Sequence, residues 1–188
     1  MQRIIVTGAT SMIGVALIEE CIKHGTEVYA VVREGSKKRS RLPESSLIKF
    51  ADCSLEHLDR LPEMISQECD TFYHIAWGNT GENRNSSTEL QSRNIGYTLA
   101  AVKAAAALGC KRFIGAGSQA EYGLLDLDRI SPESAANPTT PYGAAKLASG
   151  YLARMLCKEL GIECIWPRIF SVYGIYEKET TMIARSEE

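Results

Sequence analysis

The first fourteen residues constrain the fold more than any other part of the chain. A short run rich in β-branched residues, Arg3–Thr7, is followed directly by Gly8, and a second glycine stands at Gly14, where an apolar helical pattern begins. This order predicts a strand, a tight turn and a helix. Backbone amides at such a turn face the pyrophosphate of a dinucleotide, which the positive end of the helix favours. We therefore expect a dinucleotide-binding fold.

The remainder of the chain alternates apolar strand patterns with helical patterns, which predicts parallel strand–helix–strand units. The predicted strands are Arg3–Thr7, Glu27–Val32, Leu47–Ala51, Thr71–Ile75, Arg112–Ala116 and Glu163–Pro167. The predicted helices are Met12–His24, Thr88–Leu108 and a helix capped by Thr140 that continues to Leu160, and the basic stretch Arg33–Arg41 is expected to be a surface loop or a short irregular helix. The predicted fold class is α/β, a doubly wound Rossmann-type parallel sheet of about six strands with helices on both faces.

Composition excludes several classes of partner. The chain has 188 residues, 45% of them hydrophobic, which suits one well-packed domain, and its net charge of -2 gives no electrostatic reason to expect nucleic acid or an anionic membrane. No apolar stretch approaches the roughly 20 residues that cross a bilayer. The six Cys form no Cys-x-x-Cys pair and the three His lie far apart, so no metal is predicted. Scattered cysteines and a strand that begins almost at the first residue lead us to expect a cytoplasmic location.

A tyrosine–lysine pair points to proton transfer. Tyr142 and Lys146 lie four residues apart, so on a helix they share one face. A Lys ammonium favours the phenolate, and so it can draw a Tyr that titrates near pH ~10 in water toward neutrality. Such a pair is common by chance, and a buried Tyr beside a surface Lys is the alternative interpretation. Together with a dinucleotide turn, however, the pair indicates hydride-transfer chemistry.

The unusual residues follow the predicted strands. The carboxyl ends of parallel strands meet at one edge of the sheet, which is where such sheets bind ligands. The residues concerned are Asp52 after the third strand, His74-Ile-Ala-Trp77 at the end of the fourth, Gly117-Ser118 after the fifth, and Pro167 to Gly174 after the sixth. We expect His74 to pack behind this edge rather than to take part in catalysis.

These residues match a known pattern. The chain contains, in one order, Thr7-Gly8-x-x-x-x-x-Gly14, Asp52, His74-x-Ala76, Asn94, Ser118-x-x-x-Tyr122-Gly123, Tyr142-x-x-x-Lys146 and Pro167-Arg168 followed by Tyr173-Gly174. Along essentially its whole length it resembles the extended short-chain dehydrogenase/reductases, specifically the NAD(P)-dependent epimerase/dehydratase group that acts on nucleotide sugars. The resemblance implies bound NADP or NAD and a nucleotide-sugar substrate.

The resemblance also assigns roles. Tyr142 would be the general acid/base, Lys146 would lower its pKa and hold the nicotinamide ribose, and Ser118 would hydrogen-bond the reacting oxygen. Asn94 would hold the active-site water or the helix geometry behind Lys146, with a bond to backbone as the alternative. Asp52 would accept from the adenine amino group, or would simply cap a strand end. The full predicted cofactor-binding set is Gly8, Thr10, Ser11, Met12, Ile13, Gly14, Arg33, Asp52, Cys53, Ala76, Asn94, Tyr142, Lys146 and Pro167.

Two departures bear on the cofactor. Ser11 stands where the family usually carries a middle glycine, and its side chain narrows the approach to the pyrophosphate or donates a hydrogen bond of its own. Val32 occupies the position of the Asp that grips the ribose 2′-hydroxyl in NAD-preferring members, and Arg33 follows it. A missing carboxylate beside a guanidinium favours NADP over NAD. Further basic residues either add to this field or form a solvated loop; they are Lys37, Lys38, Arg39 and Arg41.

Other departures bear on the reaction. Sugar 4,6-dehydratases of this group carry an Asp-Glu pair where this chain has Gln119 and Ala120, so an epimerase or a ketoreductase is expected instead. Glu121 is expected to contact substrate, to cap the loop or to lie on the surface. The alternative function is a non-catalytic dinucleotide-binding module or an inactive, truncated family member.

The length of the chain leads to two further expectations. We divide it into a Rossmann domain, residues 1–174, and the start of a truncated substrate region, residues 175–188, so the chain is expected to bind cofactor but to turn over weakly or not at all. The Ala-rich helix before Gly109 and the helix that bears Leu147 and Tyr151 resemble the family's dimer-forming pair. They predict a homodimer through a four-helix contact.

Overall fold

The structure of the protein is a computed structural model that describes residues 2–176. The strands of its main sheet are β1 Arg3–Thr7, β2 Glu27–Val32, β3 Ile48–Asp52, β4 Thr71–His74, β5 Arg112–Gly115 and β7 Glu163–Ile165, and β6 and β8 belong to a second sheet described below. The six strands are parallel and lie in the order β3-β2-β1-β4-β5-β7. The strand order reverses between β1 and β4, and the crevice at such a reversal is where doubly wound sheets bind ligands. The predicted fold class is confirmed.

Three long helices and several short ones connect the strands. The α-helices are α1 Met12–Lys23, α2 Leu61–Met64, α3 Thr88–Ala107 and α4 Pro141–Glu159. The 3-10 helices are Lys37–Arg41, Leu55–Arg60, Glu82–Asn85 and Gln119–Glu121. The basic stretch after β2 thus contains the short irregular helix that was one of its two predicted forms. Side-chain hydroxyls start the long helices: Ser11 caps α1, Ser87 caps α3 and Thr140 caps α4.

Side chains alternate across the sheet and create a core on each face. Ile4 and Val6 pack with α1 on one face, whereas Ile5 between them packs with α3 and α4 on the other. Because both faces are covered by helices, the central strands consist almost entirely of buried residues; β2 is buried along its whole length.

The end of the sixth predicted strand differs from the prediction. The ladder ends at Ile165, and the chain then enters a separate two-stranded sheet, β6 Gly117–Ser118 with β8 Arg168–Ile169. Pro167 has no amide to continue the ladder, but its carbonyl accepts a hydrogen bond of 2.9 Å from Gly117. The second sheet consists of two residue pairs, which are too few to produce a periodic signal in the sequence.

In the part of the chain that the structure describes, no helix combines the length and the apolar character needed to cross a membrane. Within residues 2–176, no group of three or more His, Cys, Asp or Glu side chains is placed to hold a metal ion.

Candidate active site

The glycine turn between β1 and α1 is closely packed. Gly8 has a φ of +70°, and a Cβ there would lie 2.6 Å from the backbone nitrogen of Ala76, which follows β4. A Cβ at Gly14 would collide with the carbonyl oxygen of Gly8. Both positions therefore require glycine, and the turn brings the start of α1 against the ends of β1 and β4.

Ser11 caps α1, which is neither of the two effects that the sequence suggested. Its Oγ accepts a hydrogen bond of 3.1 Å from the amide of Gly14, and its carbonyl accepts one of 2.8 Å from Val15. The amides of Met12 and Ile13 belong to the first turn, which has no intrahelical acceptor for them. These two amides are the ones that the turn offers to an anion at the helix start.

Basic side chains after β2 lie against this turn. Arg41 donates a hydrogen bond of 3.2 Å to the carbonyl of Thr10. Arg39 forms an ion pair with Asp52, so the carboxylate expected to meet an adenine amino group has a protein partner. Arg33 is exposed after the last residue of β2. Cys53 is buried, and its amide donates to Val32 over 2.8 Å, so its backbone belongs to the strand register.

Lys146 is a buried cation at the carboxyl end of β5. It is 3% exposed, its Nζ donates a hydrogen bond of 2.5 Å to the carbonyl of Ala116, and the same atom lies 3.7 Å from the ring centroid of Trp77. Burial lowers the pKa of Lys146 to about 7, a shift that the nearby Glu121 carboxylate opposes. Lys146 can therefore gain or lose its proton near neutral pH.

Tyr142 lies one helical turn before Lys146, as predicted. Pro141 and the Thr140 cap begin α4, and the cap hydroxyl accepts a bond of 3.1 Å from Gly143. The Tyr142 ring centroid is 5.9 Å from Lys146 Nζ, and it packs edge-on against Trp77 at 6.0 Å. The guanidinium of Arg84 lies 4.7 Å from the same centroid.

Ser118 reaches the same edge from β6. Its Oγ accepts a hydrogen bond of 3.2 Å from the Ala120 amide, and its own amide donates 2.8 Å to Glu121. The bond from Ala120 uses one of the two lone pairs of this oxygen, so the hydroxyl retains one proton to donate and one lone pair to accept. A Cβ at Gly143 would collide with the carbonyl oxygen of Ala120, so the Ser118 loop packs directly on the first turn of α4.

Asn94 holds backbone, which was the alternative interpretation. Its Oδ1 accepts a hydrogen bond of 2.7 Å from the amide of Gly78, and its Nδ2 donates a hydrogen bond of 3.2 Å to the carbonyl of the same residue. It thereby holds the segment after β4 that carries Trp77. His74 is 2% exposed and 3.0 Å from the hydroxyl of Thr7, and burial lowers its pKa to about 3. It is neutral at physiological pH and lies behind the sheet edge, as expected.

Three contacts were not anticipated from the sequence: Trp77 over Lys146, Arg84 over Tyr142 and Arg41 at Thr10. Each joins residues that are distant in the chain, and no local pattern marks them. The one sequence signal for these contacts was Trp77 itself, because a large aromatic residue just after β4 lies at the ligand edge of the sheet.

This geometry defines a class of protein. An open parallel sheet, a glycine turn before its first helix and a polar set beside the strand reversal are the features of a dinucleotide-binding Rossmann protein. The chain belongs to the NAD dependent epimerase/dehydratase family, whose model matches residues 4–186. The resemblance seen in the motifs is thereby confirmed.

Individual relatives agree with this assignment. The chain is 24% identical over 177 residues to a UDP-glucose 4-epimerase of Corynebacterium glutamicum, a match that covers 93% of this chain and 53% of the relative. It is 28% identical over 145 residues to a dTDP-6-deoxy-L-talose 4-dehydrogenase (NAD(+)) of Aggregatibacter actinomycetemcomitans, covering 77% and 52%. A UDP-glucose 4-epimerase of Thermus thermophilus, solved in complex with NAD, has a similar fold, with a TM-score of 0.83 and 21% identity over 96% of this chain and 59% of that one. The chain spans about half the length of the curated relatives that it matches.

Proposed function

We propose that this protein acts on a nucleotide-activated sugar, as an epimerase or a ketoreductase, by NAD(P)-dependent hydride transfer. The proposal rests on the observation that Ser118, Tyr142 and Lys146 lie near one another at the carboxyl edge of the sheet. Lys146 bonds the carbonyl two residues before Ser118, and the Ser118 loop packs on the helix turn that bears Tyr142. The family itself is NAD dependent, and named relatives include sugar-nucleotide epimerases and a dehydrogenase.

The residues at the turn fit a dinucleotide. A side chain at Gly8 or Gly14 would meet backbone, so the turn is kept free of side chains at both positions. The amides of Met12 and Ile13 then face outward at the positive end of a helix of 12 residues. A dinucleotide held at this turn would supply the nicotinamide that exchanges hydride with the substrate.

The polar set supplies the proton chemistry. As hydride leaves the carbinol carbon, Tyr142 takes the hydroxyl proton as general base, and it returns a proton when hydride comes back. Ser118 donates its hydroxyl proton to the oxygen as it becomes a carbonyl, while the Ala120 amide holds the Ser118 oxygen in place. Lys146, when protonated, stabilises the phenolate of Tyr142. The three residues act on one oxygen and one proton.

The reaction class follows from what the catalytic loop lacks. Gln119 and Ala120 occupy the positions of the dehydratase carboxylates, so no acid or base stands there to eliminate water. Epimerase and reductase use the same three residues and differ in whether the keto-sugar turns over before hydride returns.

The preference for NADP over NAD stays a prediction. Arg33 stands at the end of β2, where a carboxylate or a guanidinium distinguishes the two cofactors, and Arg41 adds a second cation at the glycine turn. The relatives, in contrast, are named for NAD or were solved with it. A cytoplasmic location also stays a prediction.

We further propose that residues 1–174 form the cofactor domain and that residues 175–188 begin a substrate region; residues 177–188 lie outside those described. A non-catalytic dinucleotide-binding module is the second candidate. The Ser11 hydroxyl already accepts a hydrogen bond from the Gly14 amide, so this amide of the helix start is not available to a cofactor.

Titration of the purified chain with NADPH and NADH tests the proposal first. We expect binding with a preference for NADPH that Arg33→Ala removes; a preference for NADH would overturn the role given to Arg33. Next, excess UDP-glucose is added to the chain loaded with oxidised cofactor, and the absorbance of reduced nicotinamide is followed. We expect reduction that Tyr142→Phe abolishes. Binding without reduction would favour the non-catalytic module, and binding of neither cofactor would refute both candidates.

A further inference from the structure

Glu121 is a buried carboxylate that does not reach the surface of the site. It is 1% exposed and lies in the short 3-10 helix that follows Ser118. Its Oε1 accepts two hydrogen bonds, one of 2.8 Å from the amide of Ser118 and one of 3.0 Å from the indole nitrogen of Trp166. Its Oε2 accepts a hydrogen bond of 2.9 Å from Nε of Arg168. A carboxylate buried to this degree is stable only when its oxygens are matched by donors, and three donors meet it here.

Trp166 is held where it can donate by three glycines from different elements. A Cβ at Gly117 or Gly150 would lie 2.7 Å from the indole nitrogen, and one at Gly115 would collide with the six-membered ring. The indole therefore occupies a space that β5, β6 and α4 leave free for it. Its direction, and with it the bond to Glu121, is set by backbone.

Arg168 connects Glu121 to Tyr122, which in turn bonds the loop that contains Ser131. Its guanidinium lies 4.3 Å from the ring centroid of Tyr122, and the Tyr122 hydroxyl donates 3.1 Å to the carbonyl of Ser131. Burial lowers the pKa of Arg168, but hydrogen bonds with Tyr122 and Glu121 more than compensate, so its pKa lies above the ordinary value. Arg168 therefore remains a cation that requires a carboxylate partner.

We propose that Glu121 is the positioning residue of Ser118: it fixes the Ser118 amide to Trp166 and Arg168, and so sets the direction in which the Ser118 hydroxyl donates. This inference rests on the proposed function, in which Ser118 bonds the reacting oxygen. Glu121 is too deeply buried to contact a substrate, which excludes one of the roles considered from the sequence. Its charge also acts on Lys146, whose pKa it raises against the effect of burial.

Hydrogen exchange at the Ser118 amide tests the positioning directly and needs no turnover. Glu121→Gln keeps the size of the side chain but removes its charge and replaces one acceptor by a donor. We expect the Ser118 amide to exchange at least about tenfold faster, because its acceptor is weakened in a buried place. Glu133→Gln, a change of an exposed carboxylate nearby, should leave that amide unaffected. Unchanged exchange in Glu121→Gln would overturn the proposal. If that variant does not fold because Arg168 is left unpaired, Glu121→Gln/Arg168→Gln removes both charges and is measured instead.

A double-mutant cycle on hydride transfer separates positioning from general support of the fold. Glu121→Gln should slow reduction of the bound cofactor by about tenfold at an unchanged cofactor Kd, and should add nothing further in a Ser118→Ala background. An equal loss in both backgrounds would mean that Glu121 supports the fold and not Ser118. If the wild-type chain transfers no hydride, the proposed function fails in this chain, while the exchange experiment still decides the positioning.

Discussion

At the residue scale, Lys146 is the residue of the site whose burial most opposes its charged form. Its ammonium is surrounded by Trp77, the Ala116 carbonyl, Tyr142 on its own helix, the neutral His74 on β4 and Glu121 beyond them. The single carboxylate in this set opposes the burial only in part, so the pKa of Lys146 falls from 10.5 to about 7. A buried group with a strongly lowered pKa reduces the stability of the fold and marks a candidate functional site.

Lys146→Met should therefore stabilise the protein at neutral pH and below. Between the folded pKa of about 7 and the ordinary value of 10.5, the unfolded chain binds the proton that the folded chain has released, so wild-type stability rises with pH across that window. The variant lacks this dependence. We expect it to be more stable than wild type by about 1–3 kcal/mol at pH ~6, with the difference shrinking as the pH is raised toward ~10.

Denaturant unfolding at several pH values measures this difference, with Lys103→Met as the control. Lys103 is exposed on α3, and its replacement should change stability by the same small amount at every pH. A Lys146→Met variant whose difference from wild type does not vary with pH would contradict the burial of a titrating ammonium.

At the element scale, the β1–α1 turn holds the sheet edge together. Gly8 packs on the backbone after β4, Gly14 packs on Gly8, and Ser11 caps the helix between them. These contacts are between backbone atoms, which cannot move aside as a flexible side chain can. A small change in this turn should therefore affect both stability and cofactor binding.

Gly14→Ala should destabilise the protein by about 2–4 kcal/mol and abolish cofactor binding, because its Cβ would collide with the Gly8 carbonyl. The matched control is Gly96→Ala, an exposed position in α3 where an added Cβ would meet nothing within 4 Å. That change should stabilise by about 0.5–1 kcal/mol, since alanine favours a helix interior over glycine. Thermal unfolding measures the change in stability, and cofactor titration measures the change in binding. Equal responses of the two variants would refute the packing described for the turn.

At the scale of the whole molecule, one face of α4 lacks a partner within the described residues. Tyr151 is 49% exposed, Leu152 41% and Met155 59%, and their spacing places them together on the helix surface. Apolar side chains grouped in this way mark an interaction surface more often than chance exposure does. The predicted homodimer through α3 and α4 would cover them.

Met155→Glu should convert the predicted dimer into a monomer, since it would bury an unpaired carboxylate in the contact. Analytical ultracentrifugation measures the change. Leu124→Glu, at a position 87% exposed outside the long helices, should leave the dimer intact. A wild-type chain that sediments as a monomer at high concentration would exclude the four-helix contact.

The amino-acid sequence was sufficient to predict the six strands of the main sheet, the three long helices and their order along the chain. All six strands of the main sheet were predicted within two residues of their observed bounds. The central strands are buried apolar runs between helix caps and glycines, which makes them easy to recognise in the sequence. Ser118 follows β5, so the sequence predicted it at the edge where the carboxyl ends of parallel strands meet. The four-residue spacing of Tyr142 and Lys146 predicted that they share one face of a helix, and both lie in α4.

The pairing of the polar groups at that edge became visible only in the folded chain. Several of these pairings join residues far apart in sequence. They are the two-stranded sheet of β6 and β8, Trp77 over Lys146, and the bonds from Trp166 and Arg168 to Glu121. Such contacts depend on where buried charges and backbone groups find partners once the chain is compact, and no local periodicity encodes this. From the sequence Glu121 had three possible roles, and its burial between Ser118, Trp166 and Arg168 selects one of them, because a carboxylate without solvent must bind the donors around it.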